Sequence, residues 1–225
     1  MIEKELPFET IKVDLSDKSP EFEAAYHAIH PDPSSTAKVP ILIDTDGTSL
    51  IESQVVAEYI GQKYQSHGGT DFMSTDAPAD LARAKLFIEL FSTSVFAQGL
   101  FGTLRADSKQ ALEKAITALV EGLKVCDAAL SMLGREDQST GGSFFLGDRY
   151  SLAEVCTTGQ LQRVLYVLPE VRKVDVWALI KQHKLERFER WARKALERPS
   201  AVATKPEVGV MVDSLKKYVV EIEEE

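Results

Sequence analysis

The sequence predicts a small α/β unit followed by a larger all-α unit, and three patterns carry that division. Phe8-Glu9-Thr10-Ile11-Lys12-Val13-Asp14-Leu15 alternates apolar and polar residues, the period of a half-buried strand. Pro40-Ile41-Leu42-Ile43-Asp44 and Thr48-Ser49-Leu50-Ile51 flank Asp46-Gly47, a dipeptide that reads as a hairpin turn. From Pro78 onward apolar residues recur at helical spacing, with Phe144-Phe145-Leu146 the one short run of strand character. The expected organisation is an α/β unit over residues 1–66, a linker over 67–77 and a helical unit over 78–225.

Each element has a local reason. Phe22, Ala25, Tyr26 and Ile29 repeat at helical spacing from Pro20 to Ile29, with Ser19 as N-cap and a proline at the first helical position. His30 to Ala37 is a loop by its Pro, Asp and Ser content. Ser53 to Tyr64 returns to helical period, with Val56, Tyr59 and Ile60 on one face, so the first unit reads β-α-β-β-α. Helices are expected over Leu81–Leu104, Leu112–Leu133 (interrupted by Gly122), Ser151–Leu168, Val176–Leu196 and Val210–Val220. Pro169, Pro199 and Pro206 separate the last three, and Arg135 to Gly142 forms a polar loop. Phe87, Phe91, Phe96 and Phe101 are expected core residues, and Glu221 to Glu225 a solvated end.

Composition excludes several functions. Twenty-six Lys and Arg against 35 Asp and Glu give a formal charge of −9, the wrong sign for a nucleic-acid groove or an anionic membrane surface. No apolar run approaches the roughly 20 residues of a spanning helix, and Met1 to Lys12 lacks a signal-peptide core. Two cysteines, Cys126 and Cys156, make no disulfide framework, which points to a reducing, cytoplasmic setting. Both fall in apolar helical runs and read as small core residues. His27, His30, His67 and His183 have no metal-ligand spacing, so no metal is expected.

The most informative local feature is Lys38-Val39-Pro40-Ile41-Leu42 followed by Glu52-Ser53. A Val39–Pro40 bond can be cis, turning the Val39 main chain outward to pair with an extended peptide. Ser53 lies at a strand-to-helix junction, where a hydroxyl and the first helical N–H groups favour an anion. Glu52 beside it offers an acceptor for an amine. Together they suit a small zwitterionic peptide. Proline at a strand start and serine at a helix N-cap are also ordinary fold devices, and the residues alone allow either role. Ser151-Leu152-Ala153-Glu154 has the form of a capping box, with Tyr150 as the outer staple residue.

On these motifs the chain resembles the cytosolic glutathione transferase superfamily over nearly its whole length. Val39-Pro40, Asp46-Gly47 and Glu52-Ser53 match the second half of that family's thioredoxin-like domain. Phe145-Leu146-Gly147-Asp148-Arg149-Tyr150-Ser151-Leu152-Ala153-Glu154, Trp191-Ala192 and Arg198-Pro199-Ser200 match its helical domain, with Glu154 where the family usually has Asp. Asp14 to Phe22 is similar to the omega and lambda-like classes, although the His30–Ala37 loop is longer than theirs.

The resemblance implies an incomplete thioredoxin-like domain followed by a glutathione transferase helical bundle. Val39 would hold the cysteinyl main chain of glutathione beside a cis Pro40, Ser53 the γ-glutamyl carboxylate and Glu52 the γ-glutamyl amine. Lys18, or else Lys38, would neutralise the glycine carboxylate. The co-substrate would be a small hydrophobic electrophile or a disulfide, and the assembly commonly a homodimer. The family's first β-α unit and its activating Cys, Ser or Tyr have no counterpart before Phe8, leaving the catalytic residue unassigned and a non-catalytic binding module as the alternative. Without that neighbour, Phe8–Leu15 is expected to pair directly with Pro40–Asp44, to detach, or to recruit another chain.

Overall fold

A computed structural model describes residues 1–73, 77–135 and 142–222. It divides the chain into two compact units, Met1–Met73 and Ser74–Glu225.

In the first unit, Ser19 accepts a hydrogen bond from the Phe22 N–H at 3.2 Å and starts α1 (Pro20–His27), as its cap and proline predict. Strands β1 (Ile41–Ile43) and β2 (Ser49–Ile51) form an antiparallel pair with Leu42 opposite Leu50, followed by α2 (Ser53–Lys63). Gly47, at φ +88°, supplies the left-handed residue that closes the hairpin. The expected strand at Phe8–Leu15 does not form. Among the described residues the sheet has two strands, and Phe8–Leu15 makes no main-chain ladder. Ile11 is 80% exposed, with Phe8 and Leu15 each 50% exposed. Alternation gives a segment the faces of a strand, but a strand needs a neighbour for its backbone groups, and this segment has none.

Residues 67–73, expected as linker, belong to the first unit. Phe72 and Met73 are buried, and a Cβ on Gly61 would collide with both. Thr70 N–H donates to the Glu3 carbonyl at 2.7 Å. Gly69 passes so close that a Cβ would lie 2.3 Å from that oxygen, and its φ of +78° also calls for glycine. Lys4 is buried, its ammonium over the Phe72 ring and donating to the Gln65 carbonyl at 3.4 Å.

The second unit is helical. α3 (Pro78–Leu90) runs into a ten-residue π-helical stretch, Phe91–Leu100, and on into α4 (Phe101–Arg105). The sequence pattern predicted one α-helix here, because widening to i→i+5 hydrogen bonds leaves no signature in residue type. The widened stretch brings the Ser94 carbonyl against α5 (Lys109–Met132), where a Cβ on Gly122 would lie 2.9 Å from it. That contact explains the glycine inside an otherwise regular helix. The 28 residues Pro78–Arg105 are long and apolar enough to cross a membrane, but Phe87, Phe91, Val95 and Leu100 are spent on this unit's core.

α6 (Leu152–Arg172) continues through Pro169 instead of ending at Leu168, since a proline in the last turn removes only one hydrogen bond. The expected helix Val176–Leu196 is two, α7 (Val176–Gln182) and α8 (Glu186–Leu196), broken where Lys184 takes φ +56°. α9 (Pro199–Thr204) and α10 (Val208–Leu215) follow. Phe144-Phe145-Leu146 forms isolated bridges to Gly147, Arg149 and Arg135 and no strand. Trp191 centres the core, its ring 5.1 Å from Phe87 and 5.3 Å from Phe188. Phe87 and Phe91 are fully buried, whereas Phe96 and Phe101 remain half-buried and pack on each other at 5.4 Å. Most of the Arg135–Gly142 loop and the end of the acidic tail lie outside the described residues.

Candidate functional site

The hairpin assembles the predicted peptide site from its register. Ile41 pairs with Ile51 as the last rung of the hairpin, so Val39 and Pro40, which precede β1, and Glu52 and Ser53, which follow β2, lie at the same end of it. The Asp44 N–H donates to the Thr48 carbonyl at 2.8 Å, which makes residues 44 and 48 a hydrogen-bonded pair. In an antiparallel ladder such pairs alternate. Leu42 therefore bonds β2, while Ile41 and Ile43 turn their N–H and C=O groups to the outer edge of β1, where no strand lies among the described residues. Val39, two residues before Ile41, lies outside the strand at that end of the hairpin; it is 48% exposed, makes no main-chain hydrogen bond among the described residues, and its bond to Pro40 is cis.

Ser53 is the first helical residue of α2, and Glu52 takes the N-cap place predicted for serine. No side chain caps this helix, and Val56 is the first residue whose N–H reaches a main-chain acceptor, Glu52 O at 2.9 Å. The donors of Ser53, Gln54 and Val55 thus remain open at the positive end of the helix dipole. The Ser53 hydroxyl is exposed and makes no hydrogen bond among the described residues. Glu52 has φ +69° and ψ 114°, a conformation that costs a non-glycine residue about 1–3 kcal/mol. A carboxylate kept in a glycine-favouring position, exposed and without an ion pair, is a side chain free for a ligand. Lys38 immediately precedes Val39, outside the strand. Lys18 sits just before α1, outside this register; neither lysine pairs with a carboxylate among the described residues.

A polar cluster at the far end of α2 holds the hairpin. Asp44 accepts from Lys63 Nζ at 2.8 Å, Tyr64 Oη at 2.7 Å and Tyr59 Oη at 2.9 Å. Lys63 also donates to Asp46 at 2.6 Å. The Lys63, Tyr64 and Tyr59 donors hold the Asp44 carboxyl well below the usual carboxylate range, and Lys63 and Thr48 lower Asp46 to about 2. A depressed carboxylate pKa stabilises the fold above the ordinary value near 4, and that stability is lost as pH falls below it. Asp44→Asn should therefore lower the urea midpoint most at pH 7 and least at pH 3. A difference that stayed constant across that range would remove the cluster as the source.

Neither cysteine approaches this role. Cys126 is buried in α5, and burial pushes its thiol up to about 12, too high for a nucleophile at neutral pH. Cys156 is half-buried within α6.

Residues 1–63 match the family model for the glutathione S-transferase N-terminal domain. The first unit is therefore similar to a glutathione S-transferase N-terminal domain. The fold of the chain is that of the solved glutathione transferases. Glutathione transferase Omega 3C from Trametes versicolor is 19% identical with a TM-score of 0.74, over 96% of this chain and 81% of that one. The Tau class enzyme MiGSTU from mango, Mangifera indica, is 20% identical with a TM-score of 0.73, over 97% and 90%. Rice GST1, whose structure is a complex with glutathione, is 21% identical with a TM-score of 0.72, over 98% and 90%. No curated protein matches by sequence. The open N-terminus of α2 and the strained Glu52 were visible in the sequence only as the dipeptide Glu-Ser, because backbone angles leave no mark on composition.

Proposed function

We propose that this chain binds glutathione through its first unit and transfers the tripeptide to or from an apolar electrophile or disulfide. The observation that carries the reading is the placement, at one end of the hairpin, of the exposed Val39, the strained Glu52 and the uncapped Ser53. Val39 pairs with the cysteinyl main chain, as one strand does with another. Glu52 accepts from the γ-glutamyl ammonium. Ser53, with the open N–H groups behind it, donates to the γ-glutamyl carboxylate. Lys38 or Lys18 faces the glycine carboxylate. Glutathione brings its own thiol; as thiolate it attacks an electrophilic carbon and expels the leaving group, or exchanges with a disulfide.

A second reading, a binding or assembly module without turnover, is favoured by the burial of Cys126 in the core of the helical unit, out of a ligand's reach. Calorimetric titration tests the first. Reduced glutathione should bind saturably, and cysteinylglycine, which lacks the γ-glutamyl group, should bind at least about tenfold more weakly, one lost charge-assisted contact. Equal heats for the two would remove Glu52 and Ser53 from the site. Binding without turnover of either a halonitrobenzene or a mixed disulfide would leave the module reading.

A further inference from the structure

We propose that the helical unit carries a second, independent site, for a phosphate group, built by Arg83, Arg135 and Arg149 around the buried carboxylate of Asp80. Asp80 lies in the first turn of α3 and is 1% exposed. Arg135 grips it with Nε at 3.2 Å and Nη2 at 2.7 Å. Arg149 Nη2 reaches the same carboxylate at 3.3 Å and Arg83 Nη1 at 4.0 Å. Among the described residues three guanidinium groups thus share one acid, an excess of two positive charges within that cluster, on a chain whose formal charge is −9.

No other carboxylate among the described residues reaches these guanidiniums. Asp148, next to Arg149 in sequence, instead sits against the main chain at Gly142. The two oxygens of Asp80 have acceptor sites for all three, but gathering three guanidiniums around one acid brings like charges together at that point. The backbone fixes the arrangement as well. Arg135 and Arg149 are both bridged to Leu146, and the Arg135 N–H donates to the Phe145 carbonyl at 2.8 Å. Two of the three arginines therefore stand on neighbouring rungs, with their side chains turned to one carboxylate.

Donors remain to spend. Among the described residues, Arg135 uses Nε and Nη2 on Asp80 and has Nη1 left over, and Arg149 uses only Nη2 and has Nε and Nη1 left over. The side chains of Arg83, Arg135 and Arg149 are 51%, 54% and 51% exposed, so those donors are open to solvent. α3 adds the positive end of its dipole, since Ala77 at its N-cap has no side chain to cap it. Planar forks at fixed spacing suit a tetrahedral dianion better than a single carboxylate. The ligand is a phosphate group, either free or carried on a small molecule.

Calorimetry on the intact chain, at ionic strength matched with sodium chloride, tests the site with inorganic phosphate and with phenyl phosphate as probes. The variant is the double substitution Arg83→Gln with Arg149→Gln, which keeps the Arg135–Asp80 pair and removes the excess charge. Wild type should bind phosphate saturably, and the double variant at least about tenfold more weakly, the loss expected for a charge-assisted hydrogen bond. Its melting temperature in chloride should stay near that of wild type, which separates lost binding from lost folding. Equal binding of both probes assigns the site to phosphate esters, and binding of inorganic phosphate alone to the free ion. Absence of saturable binding of either probe, or equal binding by the double variant, overturns the proposal.

Discussion

Glu154→Ala should destabilise the helical unit by about 3–5 kcal/mol, a large share of the 5–15 kcal/mol that holds a typical domain together. Glu154 is fully buried at the start of α6 and forms no ion pair among the described residues. One oxygen accepts from the Phe145 N–H at 2.6 Å and the Trp191 indole at 2.8 Å. The other accepts from the Ser151 N–H at 2.9 Å and its hydroxyl at 2.8 Å. Removing the carboxylate strands the Phe145, Ser151 and Trp191 N–H donors away from water, at about 1–3 kcal/mol each and less than additively. Burial pushes the Glu154 carboxyl up despite those donors. A raised acid pKa means that the residue's contribution weakens as pH climbs from the ordinary value near 4.3 through the folded one. Equilibrium denaturation at pH 5 and pH 8 reads both effects. A midpoint unmoved by the substitution would show that the box does not hold α6.

Ser53→Ala should weaken glutathione binding by about 1.5–3 kcal/mol, roughly 10- to 150-fold, while leaving the melting temperature unchanged. The two halves of that expectation come from one observation. The hydroxyl makes no hydrogen bond among the described residues, and alanine is well tolerated in a first helical turn. Whatever the hydroxyl contributes must therefore appear on ligand binding. Parallel calorimetry and thermal melts decide it. Unchanged affinity would move the carboxylate elsewhere, and a lowered melting temperature would show a structural role instead.

Helix starts were the most legible part of the chain. Ser19-Pro20 and the Ser151–Glu154 box act within one turn, so their residues suffice to place α1 and α6. The hairpin was legible for the same reason, since Asp46-Gly47 fixes its own turn. Features that depend on a distant neighbour were not. Phe8–Leu15 alternates like a strand and still lies unpaired. The π-helical stretch depends on how Ser94 meets Gly122. Phe72 and Met73 join the first unit because Gly61 leaves room for them. At the peptide site the residue types could be read directly, whereas the geometry of Glu52 and the open donors of α2 could not. The three arginines around Asp80 are far apart in sequence, and only the fold gathers them.

The outward N–H and C=O groups of Ile41 and Ile43 have a bearing on handling. An unpaired edge beside a side chain 69% exposed, as Ile43 is, is a template on which any extended chain can lay down another strand. Proline at 40 and a strand only three residues long blunt it, because neither supports a long ladder. The exposed, apolar-studded Phe8–Leu15 is the kind of strand such an edge would take. Concentrated stocks of this chain should therefore be watched for slow growth of scattering, and a ligand that occupies the Val39 end of the edge is a natural additive for keeping them clear.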